Sequence, residues 1–392
     1  MGESDIIVVN PSVNHAFTAV FAAQVFGTFL AILFDHHYVD CPLPSSTAAL
    51  LLLLSIIGIF GLITIVKGVS GVVGSALSRT VFPKDALAKK KTRHKFEDQM
   101  WQLWIHASMT ALELYVLFYE EGTVRWWSNY AEFWDPHPRY GQTTKASVHV
   151  LYLLQMAIWV VTCFQHRFIE ERHKDYFLMY AHHVVTIALV SLSYFNNYMR
   201  IGVVVLFIHD LSDIPVDLLK IFNYCGLEGP KGLFLVEITF ISNLLSWAYL
   251  RFYLFFTKAI WYGVIYGGRE VASQPSLECF HEWNVEHGGA KAGAYARGHP
   301  RSWVAGDGSF SLIENIRAVP SHRCLQHYWK SSALLIALQV MHILWFYMFL
   351  RILMKLLFPD AGATAHDAGR EVYEGGSDDE GEGGDSPAKK KR

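Results

Sequence analysis

Two neighbouring apolar segments of this chain contain histidine and aspartate residues, which can transfer protons, carry acyl groups or bind metals. His182 and His183 are adjacent within the segment 177–195. The next segment, 201–222, contains four more such residues: His209, Asp210, Asp213 and Asp217. An ionised side chain in the middle of a membrane helix costs roughly 2.5–3.5 kcal/mol on insertion scales. Several of them in one place therefore indicate a functional site.

The spacing of these residues predicts how two helices would present them. Positions three, four and seven apart share a helix face, so Asp210, Asp213 and Asp217 form one stripe. The connection 196–200 is short, which predicts that the two helices are antiparallel neighbours with the histidines at the depth of the aspartates. We therefore expect the imidazoles of one helix to contact the carboxylates of the next. A single such group can equally be an interhelical hydrogen bond, but a matched set argues against that interpretation.

The composition predicts an all-α, polytopic membrane helix bundle. Of the 392 residues, 52% are hydrophobic and 17% are charged, against about 25% charged in soluble proteins. The apolar residues form long runs near the ~20 residues that a membrane-spanning helix needs, which excludes a β-barrel. About eight transmembrane helices are predicted, at residues 16–34, 48–66, 101–119, 147–168, 177–195, 201–222, 233–257 and 331–358.

The loop charges predict the orientation of the bundle. The segment 67–100 is rich in Lys and Arg whereas 35–47 has none, so the positive-inside rule places 67–100 in the cytosol, together with both termini. The chain then divides into four parts: a two-helix anchor with a basic linker (1–92), a helix-bundle domain (93–358), a long lumenal insertion in that domain (259–330) and a disordered acidic tail (359–392).

The stretch from Arg172 to Tyr224 resembles the signature motif of the ceramide synthases, the longevity-assurance branch of the TLC-domain family. The matching elements are Lys174-Asp175, His182-His183, Thr186, Ser193-Tyr194, Arg200, Gly202, His209-Asp210, Ser212-Asp213, Asp217, Lys220 and Tyr224. Weaker similarity covers about residues 93–358, apart from 259–327. The resemblance implies that six of the helices form a TLC-type bundle around a lipid tunnel.

The resemblance also implies the reaction, which is N-acylation of a sphingoid base by fatty acyl-CoA. The acyl-CoA is a substrate and no cofactor is implied. The other expected partners are membrane lipid and, as open possibilities, a second copy of the chain, a related chain or a small accessory subunit, with no nucleic acid. The loop before the last helix is longer than is usual in the family, so acyl-chain preference does not transfer.

The resemblance assigns roles to the buried polar residues. His182 or His183 is expected to be the general base or a transient acyl carrier, with Asp210 and Asp213 orienting an imidazole as in a catalytic triad. Further substrate-binding residues are expected at His209, Arg200, Ser212, Asp217, Lys220 and Tyr194, and at Arg172 and Lys174 for the CoA phosphates. Ordinary positive-inside flanking also explains the basic residues.

Other functions remain as alternatives. A metal site ranks second, because the sequence lacks the H-E-x-x-H spacing of zinc proteases and no metal ligand is assigned. A non-enzymatic TLC-domain protein, such as a lipid-binding or translocation-associated one, would share the bundle but would not need the histidine pair. An elongase would need an H-x-x-H-H cluster, and a proton-coupled transporter would suit the aspartate stripe.

Three features outside the bundle give further expectations. The terminal residues 389–392 resemble a dilysine-type retrieval signal, which predicts the endoplasmic reticulum membrane. Ser377 precedes three acidic residues and suits an acid-directed kinase. Cys279 and Cys324 both lie in the predicted lumenal loop, either as a disulfide or as free thiols.

Overall fold

The protein is a bundle of helices in the computed structural model, which describes residues 11–34, 44–82, 87, 90–120, 145–169, 176–196, 198–266 and 328–358. The helices, in chain order, are α1 (Pro11–Phe34), α2 (Ser45–Thr80), α3 (Lys90–Tyr115), α4 (Ala146–Phe168), α5 (Tyr176–Phe195), α6 (Met199–Tyr224), α7 (Leu235–Ser246) and α8 (Tyr328–Leu357). Helix α3 continues as a π-type turn over Val116–Glu120, and α7 continues in wide π-type turns over Trp247–Tyr266. A single 3-10 turn at Pro230–Gly232 precedes α7. The all-α prediction is confirmed for the described residues.

The helices have the length and composition of a multi-pass membrane protein. Among the described residues, four are long and apolar enough to cross a membrane: α2, α4, α5 and the segment Trp329–Leu357 of α8. A shorter apolar stretch lies at Thr18–Ile32 of α1. Helix α2 exposes more than half of Leu54, Ile57 and Ile65, as expected of a surface that faces lipid. The other predicted spans also fall on helices, which contain the buried polar residues described below.

The seventh span and the loop after it differ from the prediction. A loop was expected from residue 259, but the helix that begins at Leu235 continues without a break to Tyr266. The last helix begins at Tyr328 rather than at 331. The apolar, aromatic residues 259–266 explain the longer helix, since Ala259 and Ile260 are fully buried against the bundle. The expected lumenal insertion is thus at most 267–327, which lies outside the described residues, as does the predicted tail.

Helix α6 lies at the centre of the bundle and packs mainly against α3 and α7. Helix α2 packs on α3 and α4, and α8 packs on α5 and α7. The close approach of α2 to α3 depends on two glycines, because a Cβ at Gly71 would collide with Glu97 and one at Gly74 would collide with Phe96. Helix α5 touches α6 only slightly although it precedes it in the chain. The polar residues of α6 therefore have their neighbours mainly on helices that are distant in sequence.

Candidate active site

An elongated, mostly apolar cavity of about 80 Å³ lies between α4, α5, α6, the π-type part of α7 and α8. On α5 its wall runs from His182 to Ser193, eleven positions apart, which is roughly 16 Å at 1.5 Å per residue. Two imidazoles, those of His182 and His209, are part of the wall. A cavity of this shape suits an extended alkyl chain with its reactive end at the histidines.

A hydrogen-bonded group lies at the end of the cavity far from His182. The hydroxyl of Tyr152 lies 2.8 Å from Ser193 Oγ and donates to the backbone carbonyl of Met199 at 2.9 Å. Gly202 permits this arrangement, because a Cβ there would overlap the Tyr152 hydroxyl. The glycine of the signature stretch therefore lets α4 approach α6 at the end of the cavity.

His182 is held by aromatic rings. Its imidazole lies edge-to-face between Trp159 of α4, with centroids 5.5 Å apart, and Trp345 of α8, 5.4 Å apart. The side chain is buried, and its Nδ1 has no hydrogen-bond partner among the described residues. Edge-to-face contacts fix the plane of an aromatic ring. The cavity wall therefore contains an imidazole of fixed orientation whose Nδ1 is not used by the described residues.

His209, in contrast, has both ring nitrogens engaged. Its Nδ1 lies 2.6 Å from the carbonyl oxygen of Val205, and its Nε2 lies 3.1 Å from Nε2 of His342 on α8. Because a carbonyl only accepts, His209 Nδ1 bears the proton, and His342 Nε2–H donates to His209 Nε2 in the neutral pair. His209 thus joins the wall of the cavity without a nitrogen free to react.

His183 is not part of the wall of the cavity that His182 lines. Its ring lies 5.3 Å from His166 and 5.7 Å from Trp159, both on α4. Adjacent residues on a helix point about 100° apart, so the two histidines have different surroundings. The structure assigns the wall position to His182.

The predicted contact between these histidines and the carboxylates of α6 is wrong for the described residues. Asp213 accepts a hydrogen bond from Arg251 Nη2 of α7 at 2.5 Å, in an ion pair. Arg251 also donates to Ser212 Oγ at 2.6 Å and to the carbonyl of His209 at 3.3 Å, and its guanidinium lies 4.3 Å above the Trp247 ring. Asp213 and Ser212 therefore hold α7 against α6.

Asp217 does orient an imidazole, but the imidazole belongs to α3. Its Oδ2 lies 2.6 Å from Nδ1 of His106, and its Oδ1 accepts from Gln99 Nε2 at 2.5 Å. Nε2 of His106 lies 4.0 Å from Asp213 Oδ2, so this ring bridges two carboxylates of the stripe. Asp217 was expected to bind substrate, and the structure gives it a partner on another helix.

Asp210 completes the stripe on the same side. Gln155 of α4 donates from Nε2 to Asp210 Oδ2 and to Glu113 Oε1 of α3, each at 2.8 Å. All three side chains are buried. The predicted histidine–carboxylate contact is wrong because the carboxylate face of α6 is turned towards α3, α4 and α7. The contact between α5 and α6 is small, so the α5 histidines have aromatic partners instead.

The remaining predicted site residues are spread along the bundle. Tyr194 is buried against His149, with ring centroids 5.6 Å apart, and is not part of the cavity wall. Arg200 and Lys220 are half-buried, near the two ends of α6. Arg172 and Lys174 lie outside the described residues. In the described part of the chain, no group of three or more His, Cys, Asp or Glu side chains is arranged to hold a metal ion.

Several site residues were not singled out from the sequence: Gln99, His106, Trp159, Arg251, His342 and Trp345. Glu113 and Gln155 were visible as polar interruptions of predicted spans. His106, Arg251 and His342 carry the same signal, an ionisable side chain within an apolar run. Their partners on α6 could not be identified from the sequence, because 38 to 133 positions of the chain separate each of these residues from its partner.

The comparison with known proteins agrees with this architecture. The family model of the TLC domain (TRAM, LAG1 and CLN8 proteins) matches residues 95–351, which is well over half of the chain. The chain belongs to the TLC-domain family. The match begins inside α3 and ends inside α8, so the TLC domain contains the cavity and helices α5 and α6.

Proteins named as ceramide synthases or as a sphingosine N-acyltransferase are similar to parts of the chain. Ceramide synthase 1 LOH3 of Arabidopsis thaliana is 31% identical over 170 residues, covering 43% of this chain and 52% of that protein. Sphingosine N-acyltransferase lag1 of Schizosaccharomyces pombe is 30% identical over 166 residues, covering 42% and 40%. Human ceramide synthase 5 is 23% identical over 269 residues, covering 69% and 53%. The chain thus spans about half the length of the curated relatives it matches.

Proposed function

We propose that this protein transfers a fatty acyl group from acyl-CoA to the amine of a sphingoid base, giving a ceramide or dihydroceramide. The observation that carries the proposal is the imidazole of His182, which lines an elongated apolar cavity with its Nδ1 unused by the described residues. The names of the similar TLC-domain proteins support the same reaction class. Both substrates are amphipathic, which fits a cavity between membrane helices.

His182 is the reacting residue in this proposal, and two roles are chemically possible. As a nucleophile it attacks the thioester, releases CoA and carries the acyl group until the amine takes it. As a general base it takes the proton of the amine while the amine attacks the thioester directly. Aspartate normally supports the second role by stabilising the imidazolium. Since Asp210 and Asp213 have other partners, the contacts of His182 favour the nucleophilic role.

His183, Asp210 and Asp213 then act through other groups. Asp213 fixes Arg251, which binds the backbone carbonyl of His209. Asp210 is tied to α4 by Gln155. His183 packs against Trp159, with ring centroids 5.7 Å apart, and so supports the ring that orients His182. These residues are positioning residues in the proposal, and acyl-CoA is needed only as a substrate.

The proposed setting is the endoplasmic reticulum membrane, on the strength of the basic C-terminal residues and the topology predicted from the loop charges. The CoA head group would remain at the cytosolic face, near Lys220 and the predicted contacts Arg172 and Lys174.

The decisive test is a reconstituted reaction. The full chain is purified into lipid nanodiscs and incubated with sphinganine and a panel of acyl-CoA thioesters of different lengths, with product detected by mass spectrometry. The proposal predicts equal amounts of dihydroceramide and free CoA. Reactions without sphinganine and with His94→Ala, which removes a surface imidazole of α3, are the controls. Absence of dihydroceramide from folded protein with every acyl-CoA would contradict the proposal.

A further inference from the structure

We propose that the hydroxyl of Thr186 is a further catalytic group, which donates a hydrogen bond to the carbonyl oxygen of the acyl group while His182 reacts. This inference rests on the proposed acyl transfer and adds an oxyanion-stabilising group to it. Thr186 lies four residues after His182 on α5, and both residues line the same cavity. Side chains at this spacing are neighbours on one helix face, with Cβ atoms about 5–6 Å apart.

The hydroxyl of Thr186 has an unusual environment for a helix. A buried threonine or serine hydroxyl inside a helix can be satisfied by donating to the carbonyl four residues earlier. Ser191 does so on the same helix, to Ile187 at 2.8 Å, and Thr239 of α7 does so to Leu235 at 2.7 Å. Thr186 is 7% exposed, and its Oγ1 is buried with no hydrogen-bond partner in the described part of the chain.

An unused donor in an apolar cavity indicates a ligand that accepts a hydrogen bond. Leaving a buried hydroxyl unpaired destabilises a fold, so a group that stays unpaired in the free protein is typical of a functional site. The acyl carbonyl is an acceptor that must lie next to His182 when the thioester is attacked. The donor and the reactive nitrogen therefore lie on one helix face, one turn apart.

The hydroxyls of Tyr152, Ser193 and Ser331, which also line the cavity, are less suited to this role. Tyr152 and Ser193 are hydrogen-bonded to each other, and Tyr152 also to the backbone of Met199. Ser331 lies fourteen positions before Trp345 on α8, roughly 21 Å along the axis from the ring that contacts His182. Among these residues, Thr186 is the one whose hydroxyl lies one helical turn from His182.

The acyl transfer passes through two oxyanions, one in each half of the reaction. A nitrogen of His182 bonds to the thioester carbon, and the π electrons of the C=O bond move to the oxygen, which gains negative charge. Thr186 Oγ–H donates to that oxygen until the C–S bond breaks and CoA leaves as the thiolate. The amine then attacks the acyl-imidazole through a second oxyanion, the C–N bond to His182 breaks, and the amine proton is transferred to the CoA thiolate. Donors preorganised at a developing oxyanion lower the barrier of such steps.

The test compares three substitutions in the full chain in nanodiscs. Thr186→Val replaces the hydroxyl by a methyl group of similar size, Thr186→Ser keeps the hydroxyl, and Thr110→Val is the matched control. Thr110 is another threonine, 6% exposed with an unpaired buried hydroxyl, but it is on α3 and not on the cavity wall. For each protein we would measure kcat, the KM values for acyl-CoA and sphinganine, the rate of CoA release in a single turnover, and the melting temperature.

We expect Thr186→Val to lower kcat by about 10²–10³-fold with little change in KM, as for the loss of one oxyanion donor. Thr186→Ser should keep most of the activity, and Thr110→Val should match the wild-type protein. The melting temperature of Thr186→Val should be unchanged or higher, because the lost hydroxyl has no partner to leave behind. A structural role would instead lower the melting temperature and leave the hydroxyl irrelevant to the rate.

Two results would overturn the inference. One is a Thr186→Val protein of wild-type kcat, and the other is a Thr186→Ser protein as impaired as Thr186→Val. If Thr186→Val did not fold, Thr186→Ser and Thr186→Ala would decide by the same comparison. Failure of the proposed function gives a different result, because the wild-type chain would then form no amide product at all.

Discussion

His342 of α8 is hydrogen-bonded to His209 of α6, Nε2 to Nε2 at 3.1 Å, although 133 positions separate them in the chain. Because the carbonyl of Val205 accepts the hydrogen bond of His209 Nδ1–H, Nε2 of neutral His209 is an acceptor and His342 is the donor of the pair. Three residues further along α8, Trp345 lies against His182. One turn of the last helix therefore contacts both imidazoles of the cavity wall.

Replacing His342 should disturb His209 through this bond. His342→Leu leaves the buried Nε2 of His209 without a donor, for which we expect a loss of about 1–3 kcal/mol in the free energy of unfolding. His342→Gln keeps an N–H donor of similar reach and should lose less. Thermal unfolding in nanodiscs checks this order, and equal losses in the two proteins would show that the hydrogen bond is unimportant.

The ring of Trp345 should matter through the orientation of His182. Trp345→Phe keeps an edge-to-face partner, whereas Trp345→Leu removes it, and such aromatic contacts are worth about 0.5–1.5 kcal/mol. We expect kcat to fall up to about tenfold in Trp345→Leu and less in Trp345→Phe. Steady-state assays with the melting temperature measured in parallel check this, and a Trp345→Leu protein with wild-type kcat would contradict an orienting role.

Asp213 and Arg251 should behave as one unit. Removing one partner of a buried ion pair lowers the free energy of unfolding by roughly 3–5 kcal/mol. The side chain of Asp213 is 24% exposed, so we expect the loss for Asp213→Asn to be at or below the lower end of that range. Because both single changes break the same contact, the double variant Asp213→Asn with Arg251→Gln should lose less stability than the sum of the two. Strict additivity in a double-mutant cycle would contradict the coupling.

Gly202 should determine the shape of the cavity at the end where Tyr152 and Ser193 lie. In Gly202→Ala the new methyl group would overlap the Tyr152 hydroxyl, so we expect lower stability and altered acyl-chain preference. Tyr152→Phe removes the oxygen that collides and should restore part of the stability in the Gly202→Ala background. A panel of acyl-CoA substrates with melting temperatures checks both effects. If Tyr152→Phe lowers the stability of the Gly202→Ala protein further, the steric explanation is wrong.

The sequence predicted the helices well because each one depends on a local apolar run. All eight predicted spans fall on helices of the described chain, but several bounds were wrong. Helix α2 continues to Thr80 beyond the predicted 66, and α3 begins at Lys90 before the predicted 101. The helix of the seventh span continues to Tyr266, where an aromatic run extends it. The stripe Asp210–Asp213–Asp217 was also predicted correctly as one face of α6, since helix geometry fixes it.

The partners of that stripe could not be predicted from the spacing. A short connection makes α5 and α6 sequential neighbours, yet α6 turns its carboxylates towards His106 of α3, Gln155 of α4 and Arg251 of α7. The rotation of a helix about its axis is set by packing against helices that are distant in sequence. His182 consequently has Trp159 and Trp345 as neighbours where a carboxylate was expected.

The central claim is that His182 is the reacting group, and the rate of dihydroceramide formation by His182→Ala tests it most directly. With equal amounts of folded protein, His182→Ala should lose at least about 10²-fold in kcat, the lower end for loss of an acid–base or nucleophilic group. His183→Ala, which removes a ring that is not part of the cavity wall, should lose less. A His182→Ala protein that forms dihydroceramide at the wild-type rate would contradict the account.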